Sequence, residues 1–176
     1  MSNQDAPVVI REIRETDRDW LAQFVNEHWG ASFVVSRGTM YELALLPGFI
    51  AEDQGEPVGV VTYQKEGQAC EVVSIDSLRP NKGIGTLLLN AVKDEALRAG
   101  CTRLWLITTN DNLNALRFYQ KWGMTLVAIH RNAIEQSLKL KPQIPLIGEH
   151  GIPLRDEIEL EQILSNFGEK RFYEHI

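Results

Sequence analysis

Apolar and polar positions change rhythm several times along the chain, and each change marks a predicted element. Residues 8–14 alternate with the period of two expected of an edge or half-buried strand. Leu21, Phe24, Val25 and Trp29 then recur at helical spacing behind Thr16 or Asp17 as a cap, which predicts a helix over 18–28. Phe33-Val34-Val35 suits a short strand, and residues 40–46 a short helix.

The middle of the chain returns to strand patterning. Residues 48–52 and 57–63 read as two strands joined by Asp53-Gln54-Gly55-Glu56, and residues 70–78 as a third behind the turn Lys65-Glu66-Gly67-Gln68. Three consecutive hairpin-linked strands imply an antiparallel half-sheet. From Gly83 the period lengthens. Ile84, Leu87, Leu88, Ala91, Val92 and Ala96 predict a largely buried helix that stops at Gly100. Residues 103–108 form the next strand, so strand, helix and strand imply a parallel crossover. Asp111 or Asn112 caps a further helix ending near Trp122-Gly123, and residues 124–129 return as a strand. Residues 133–140 suit a helix, five prolines and glycines between 142 and 153 a loop, and residues 155–164 a final strand followed by helix. Residues 166–176 read as a loosely attached tail.

Composition narrows the class. With 44% hydrophobic and 24% charged residues, the 176-residue chain is that of one ordinary globular domain, 1–176. No apolar run approaches the roughly 20 residues that span a bilayer, and residues 1–7 lack the basic-then-apolar layout of a secretory signal. No membrane association is expected. Cys70 and Cys101 are too few for a disulfide framework, which makes a reducing cytoplasm the expected location. No metal is expected either, because neither the cysteines nor His28, His130, His150 and His175 have metal-ligand spacing. A net charge of −6 disfavours extended contact with phosphate backbones, so a nucleic-acid partner is not expected.

The first segment with chemistry is Lys82-Gly83-Ile84-Gly85-Thr86, between an apolar strand and an apolar helix. Glycines there let backbone N–H groups face an anion, and the helix start adds roughly half a positive charge. The glycine pair alone serves a tight turn equally well. A dinucleotide fingerprint would need a third glycine where Leu88 stands, and a P-loop would need its lysine after the glycines.

The second segment is Asn112-Leu113-Asn114-Ala115-Leu116-Arg117-Phe118-Tyr119-Gln120-Lys121-Trp122-Gly123-Met124. Together with the glycine turn it resembles the GNAT superfamily of acyl-CoA-dependent N-acyltransferases. That family carries a glycine-rich turn between strand and helix, then an Asn-x-x-Ala-x-x-(Leu/Phe)-Tyr-x-x-x-Gly-Phe helix. Asn112, Ala115, Phe118, Tyr119 and Gly123 fall in register. The resemblance covers roughly residues 8–129 and is strongest over 70–124. Two departures stand out: Pro80 fills the first slot of the usual Arg/Gln-x-x-Gly-x-Gly/Ala pattern and removes one N–H, and Met124 replaces the final phenylalanine.

The resemblance implies an α/β (α+β) fold: a mixed, mostly antiparallel sheet flanked by helices, with acetyl-CoA entering between splayed parallel central strands. It implies a core over about 8–129, with 130–176 an extension that covers the acceptor pocket. The co-substrate would meet the backbone of Ile75 and Ser77, the turn Lys82, Gly83, Ile84, Gly85 and Thr86, and Asn112, Ala115 and Tyr119. Lys82, Arg117 or Lys121 would meet the adenosine phosphates. Tyr119 is implied as the acid that protonates the departing thiolate, chemically reasonable for a phenol of pKa about 10 facing a thiol of about 8.5. Glu71 is implied as the base for the acceptor amine, with Asp76 in reserve, and Arg37 as a grip on an acceptor carboxylate. The acceptor would be a small-molecule or peptide amine, and family members often form homodimers. A non-catalytic acyl-CoA sensor on the same fold is the alternative.

Overall fold

The computed structural model describes residues 7–165, with the backbone only at Trp29. Seven strands form one sheet in the order β1-β4-β5-β6-β7-β9-β8, and β2 and β3 form a separate hairpin. The sheet strands are β1 (Val9–Glu12), β4 (Gly48–Asp53), β5 (Glu56–Glu66), β6 (Ala69–Ser77), β7 (Arg103–Thr109), β8 (Thr125–His130) and β9 (Glu157–Ile163). The hairpin comprises β2 (Phe33–Ser36) and β3 (Thr39–Glu42). Among the described residues the sheet is accompanied by four helices: α1 (Arg18–Trp29), α2 (Ile84–Arg98), α3 (Leu113–Trp122) and α4 (Ala133–Leu140). Every sheet pairing is antiparallel except β6 with β7. This is the mixed, mostly antiparallel sheet that the sequence predicts.

Strand alternation decides which helix covers which face. On β4, Phe49 and Ala51 join Ile84, Leu88, Leu89, Val92 and Ala96 of α2 and Tyr119 of α3 in one core, while Ile50 points the other way. There Ile50 and Val60 meet Leu21, Phe24 and Val25 of α1 and Val34 of β2. One face therefore carries α2 and α3, the other α1 and the β2–β3 hairpin. Burying these apolar faces against each other is the main stabilising term.

Two expectations need correction. Residues 40–46 do not form a helix. Arg37 and Gly38 both have positive φ, 51° and 73°, which closes a two-residue hairpin loop and pairs Ser36 with Thr39 and Phe33 with Glu42. A single 3₁₀ turn (Leu43–Leu45) follows, burying Leu43 and Ala44 under α1. At the other end, the strand expected over 155–164 is β9, but Leu164 and Ser165 behind it are not helical. β9 pairs with β7 along its whole length and with β8 from Glu157 to Glu161, so the sheet reaches well past the 8–129 span. The tail expected over 166–176 lies outside the described residues.

Candidate functional site

The parallel pair comes apart halfway. β6 and β7 are in register from Ala69 with Arg103 to Val72 with Leu106, and there their pairing ends, although β6 runs on to Ser77 and β7 to Thr109. The cause is local. On its other side β6 pairs Val72 with Tyr63 and Ser74 with Thr62, so Val73 is an extra residue in a bulge. A bulge bends its strand, and this one bends β6 away from β7. β7 keeps its pairing with β9 throughout, and a buried hydroxyl contact of 2.7 Å joins Thr62 and Ser74 across the bulge.

A cavity of about 370 Å³ fills the resulting gap, with Ser74, Ile75, Thr108, Asn112 and Tyr119 in its walls. Ser36 of the hairpin, Ile134 and Ser137 of α4, Lys141, Ile144, Leu154 and Glu157 close it from the other side. The loop between α4 and β9 is tied down over it. Asp111 accepts the Glu149 N–H at 2.7 Å, and Asn110 donates to the Pro153 carbonyl and accepts the Arg155 N–H.

A groove of about 620 Å³ runs along the other side of the gap. Its lining includes all ten residues singled out by sequence for the co-substrate: Ile75, Ser77, Lys82, Gly83, Ile84, Gly85, Thr86, Asn112, Ala115 and Tyr119. Ile75, Asn112 and Tyr119 border both groove and cavity. Gly83 sits at φ 75°, and α2 begins behind it with no side-chain cap. The first bond into the helix runs from Leu87 N–H to Gly83 O, so the amides of Ile84, Gly85 and Thr86 have no partner within it. Gly85 faces Phe118, whose Cζ would lie 3.0 Å from a Cβ at that position. A side chain there would narrow the groove, so the turn suits an anionic group approaching the backbone. Pro80 lines the same groove. Lys82 lies in it, while Arg117 and Lys121 border an adjoining depression with Trp122. Arg79 is engaged by Asp53. At the head of α3, Asn112 Oδ1 accepts the Ala115 N–H at 3.0 Å, capping the helix while bordering the site.

Tyr119 is the one buried residue of α3. Burial, and then the charge of Asp76, push its phenol above the ordinary tyrosine value, which favours the protonated form. Asp76 itself borders neither space.

Glu71 is buried on the opposite face, 5% exposed, where it accepts hydrogen bonds from Ser36 Oγ at 2.8 Å and Tyr41 Oη at 3.0 Å. Burial raises its pKa, against the lowering effect of both hydroxyls. Its carboxylate does not line the cavity; Ser36 stands between. Arg37 is placed otherwise than its expected role requires. Glu159, rather than an acceptor carboxylate, takes its guanidinium at 3.0 Å, and its side chain lines neither space. Glu159 also pairs with Arg103 and with His130 Nε2, and this network holds its carboxyl below the usual range despite burial.

Two charged residues of the cavity escaped sequence reasoning. Glu157 is 3% exposed and lines the cavity directly, its pKa raised first by burial. Lys141 is also buried there, over the Phe33 ring at 5.8 Å, and burial lowers its pKa. Nothing in the sequence distinguishes Glu157 from Glu159 and Glu161, which share its face of the strand. Among the described residues no group of three or more histidine, cysteine, aspartate or glutamate side chains is arranged to hold a metal ion.

The sheet thus splits between its parallel strands, with an open glycine turn beside the split. Residues 13–124 match the model described as Acetyltransferase (GNAT) family, and the chain belongs to that family. The uncharacterized protein YdhI of Bacillus subtilis (strain 168) is 41% identical over 158 residues, 89% of this chain and 99% of its own. A Bacillus subtilis acetyltransferase crystallised in complex with CoA matches with a TM-score of 0.65 and 22% identity over 90% of this chain and 100% of that one. A GNAT family acetyltransferase from Elizabethkingia anophelis with acetyl-CoA bound matches at 0.64 and 22% identity, over 89% and 98%.

Proposed function

We propose that this chain transfers the acetyl group of acetyl-CoA to a primary amine held in the cavity between β6 and β7. The observation that carries the reading is the position of Tyr119, which borders both the groove and the cavity. A thioester lying along the groove would reach the split there, its diphosphate on the amides of residues 84–86 and its pantetheine beside Ile75 and Ser77 in the manner of an added strand. Lys82 supplies a cation to the phosphates. Backbone N–H groups over 75–77 polarise the thioester carbonyl, and Tyr119 donates its proton to the departing sulfur. The acceptor must first lose a proton. Two buried carboxylates adjoin the site for that step: Glu71, through the Ser36 hydroxyl, and Glu157, in the cavity wall.

The test is release of free thiol from acetyl-CoA in the presence of a panel of small amines, with CoA binding followed separately by calorimetry. Turnover with at least one primary amine supports the reading. The rival, a CoA sensor, rests on Pro80, which withdraws one N–H from the turn. Tight CoA binding with no turnover on any amine selects the sensor.

A further inference from the structure

Of the two carboxylates named for the acceptor's deprotonation, only Glu157 lines the cavity between β6 and β7; Glu71 faces a separate depression beside Tyr41 and Trp105. Both oxygens of Glu71 already accept short hydroxyl hydrogen bonds, from Ser36 and Tyr41, and Ser36 screens it from the cavity. Glu157 is contacted loosely. The Arg37 N–H lies 3.3 Å from its Oε2, and the Ser137 hydroxyl 3.4 Å from its Oε1. The surrounding cations offset the cost of burying it only in part: burial raises its pKa, and His130 and Arg37 lower it by less. The Arg37 guanidinium and His130 of β8 are both directed to Glu159, as is Arg103 of β7. Tyr119 of α3 and Lys141 behind α4 share the cavity, and Glu71 lies behind Ser36. Burying a carboxylate is costly unless a cation meets it, and a small cation inside this cavity would do so.

Resting on the acetyltransferase reading above, we propose that Glu157 is the catalytic base: its carboxylate pairs with the acceptor's ammonium and removes one proton, so that the amine attacks as the free base. One N–H bond of the ammonium breaks and an O–H bond forms on Glu157. The nitrogen lone pair then bonds to the thioester carbonyl carbon, and the C–S bond breaks. Sulfur takes the Tyr119 proton, and the phenolate recovers one from the nitrogen as the amide forms. Glu157 returns its proton to water, which accounts for the one proton released per turnover. Burial helps, because a carboxyl with a raised pKa holds the amine's proton better than an exposed one.

The experiment compares wild type with Glu157→Gln and Glu157→Asp as full chains, measuring thiol release against pH with two amines of similar size, one strongly and one weakly basic. CoA calorimetry on each variant reports an intact fold. With the strongly basic amine, Glu157→Gln is expected to lose about 100-fold or more in kcat/KM near pH 7, in the range typical of a lost acid–base group. Its remaining rate should climb about tenfold per pH unit toward the amine's own pKa, and its deficit should shrink for the weakly basic amine. Glu157→Asp, which keeps the charge, should recover at least tenfold over Glu157→Gln, and its pH profile decides the matter if the glutamine variant does not fold. A Glu157→Gln rate within about threefold of wild type overturns the assignment, and so does a deficit equal for both amines at every pH. Either result leaves wild-type turnover and the acetyltransferase reading standing. Absence of turnover by the wild type with any amine overturns that reading, and this assignment with it.

Discussion

The backbone N–H of Arg37 lies 3.3 Å from Glu157 Oε2, joining the turn of the β2–β3 hairpin to the first residue of β9 across 120 positions of sequence. One residue earlier, the Ser36 hydroxyl holds Glu71 on β6. Adjacent residues at this end of the hairpin thus touch both Glu71 and Glu157. Among the described residues the hairpin has no strand neighbour in the main sheet, so these polar ties, with the packing of Val34 against Ile50 and Val60, fix how it sits over the split. Four predictions follow from this arrangement and from the groove behind it.

Tyr119→Phe keeps the ring that fills the core and removes only the hydroxyl. CoA binding should stay within about twofold of wild type by calorimetry, while kcat falls about 100-fold or more. Because burial holds the Tyr119 phenol above its ordinary value, the wild-type rate should show no loss from tyrosine ionisation up to about pH 10. A wild-type alkaline limb below that pH which disappears in the phenylalanine variant would count against Tyr119 as the acid.

Gly85→Val places side-chain carbons toward Phe118 and into the groove. CoA affinity should weaken at least tenfold. The melting temperature should move by only a few degrees, because Gly85 has no positive φ and the tightest contact a Cβ would make is with the ring tip of Phe118. Unchanged CoA affinity in a folded variant would remove the glycine turn from the binding site.

Tyr41→Phe deletes one of the two hydroxyls donated to Glu71. A hydrogen bond to a buried charged group contributes about 1.5–3 kcal/mol, so the urea midpoint should fall by a corresponding amount with the slope unchanged. Because Glu71 accepts from the hairpin and not from the groove, CoA affinity should hold. A midpoint equal to wild type would show that this tie does not anchor the hairpin.

Glu157→Gln should also change how stability depends on pH. Burial raises the Glu157 pKa in the folded chain above its unfolded value of about 4.5, so folding favours the protonated form. The stability this contributes is fully present below about pH 4.5 and lost as pH rises through the folded pKa, by at most about 1.4 kcal/mol per unit. Wild type minus variant, measured by urea unfolding from pH 4 to 8, should therefore fall with rising pH and then level off. Asp17 and Asp156, whose pKa values are lowered, give the opposite slope at more acid pH in both proteins and cancel in the difference. A difference that stays level or rises with pH would contradict the burial of Glu157.

Much of this protein was legible in one dimension. The periodicity of residues 48–129 places β4 to β8 with α2 and α3, because each of those segments buries a face whose spacing repeats along the chain. The two half-motifs bring the glycine turn and Tyr119 to one groove, since each lies at a strand–helix junction of that core. Where local pattern and tertiary contact disagree, the pattern fails. Residues 40–46 have helical composition, yet a turn at Arg37 and Gly38 and a partner in β2 make them strand and 3₁₀ turn. Residues 157, 159 and 161 repeat one acidic alternation. β9 sets Glu157 into a cavity and hands Glu159 to Arg103 and Glu161 to the same arginine, a distinction made by neighbours far away in sequence. Sequence alone determined the strand–turn–helix frame and the groove that serves it, because those depend on short-range spacing. Tertiary structure alone decided which carboxylate faces the open space, because burial and charge pairing are properties of what packs against a residue.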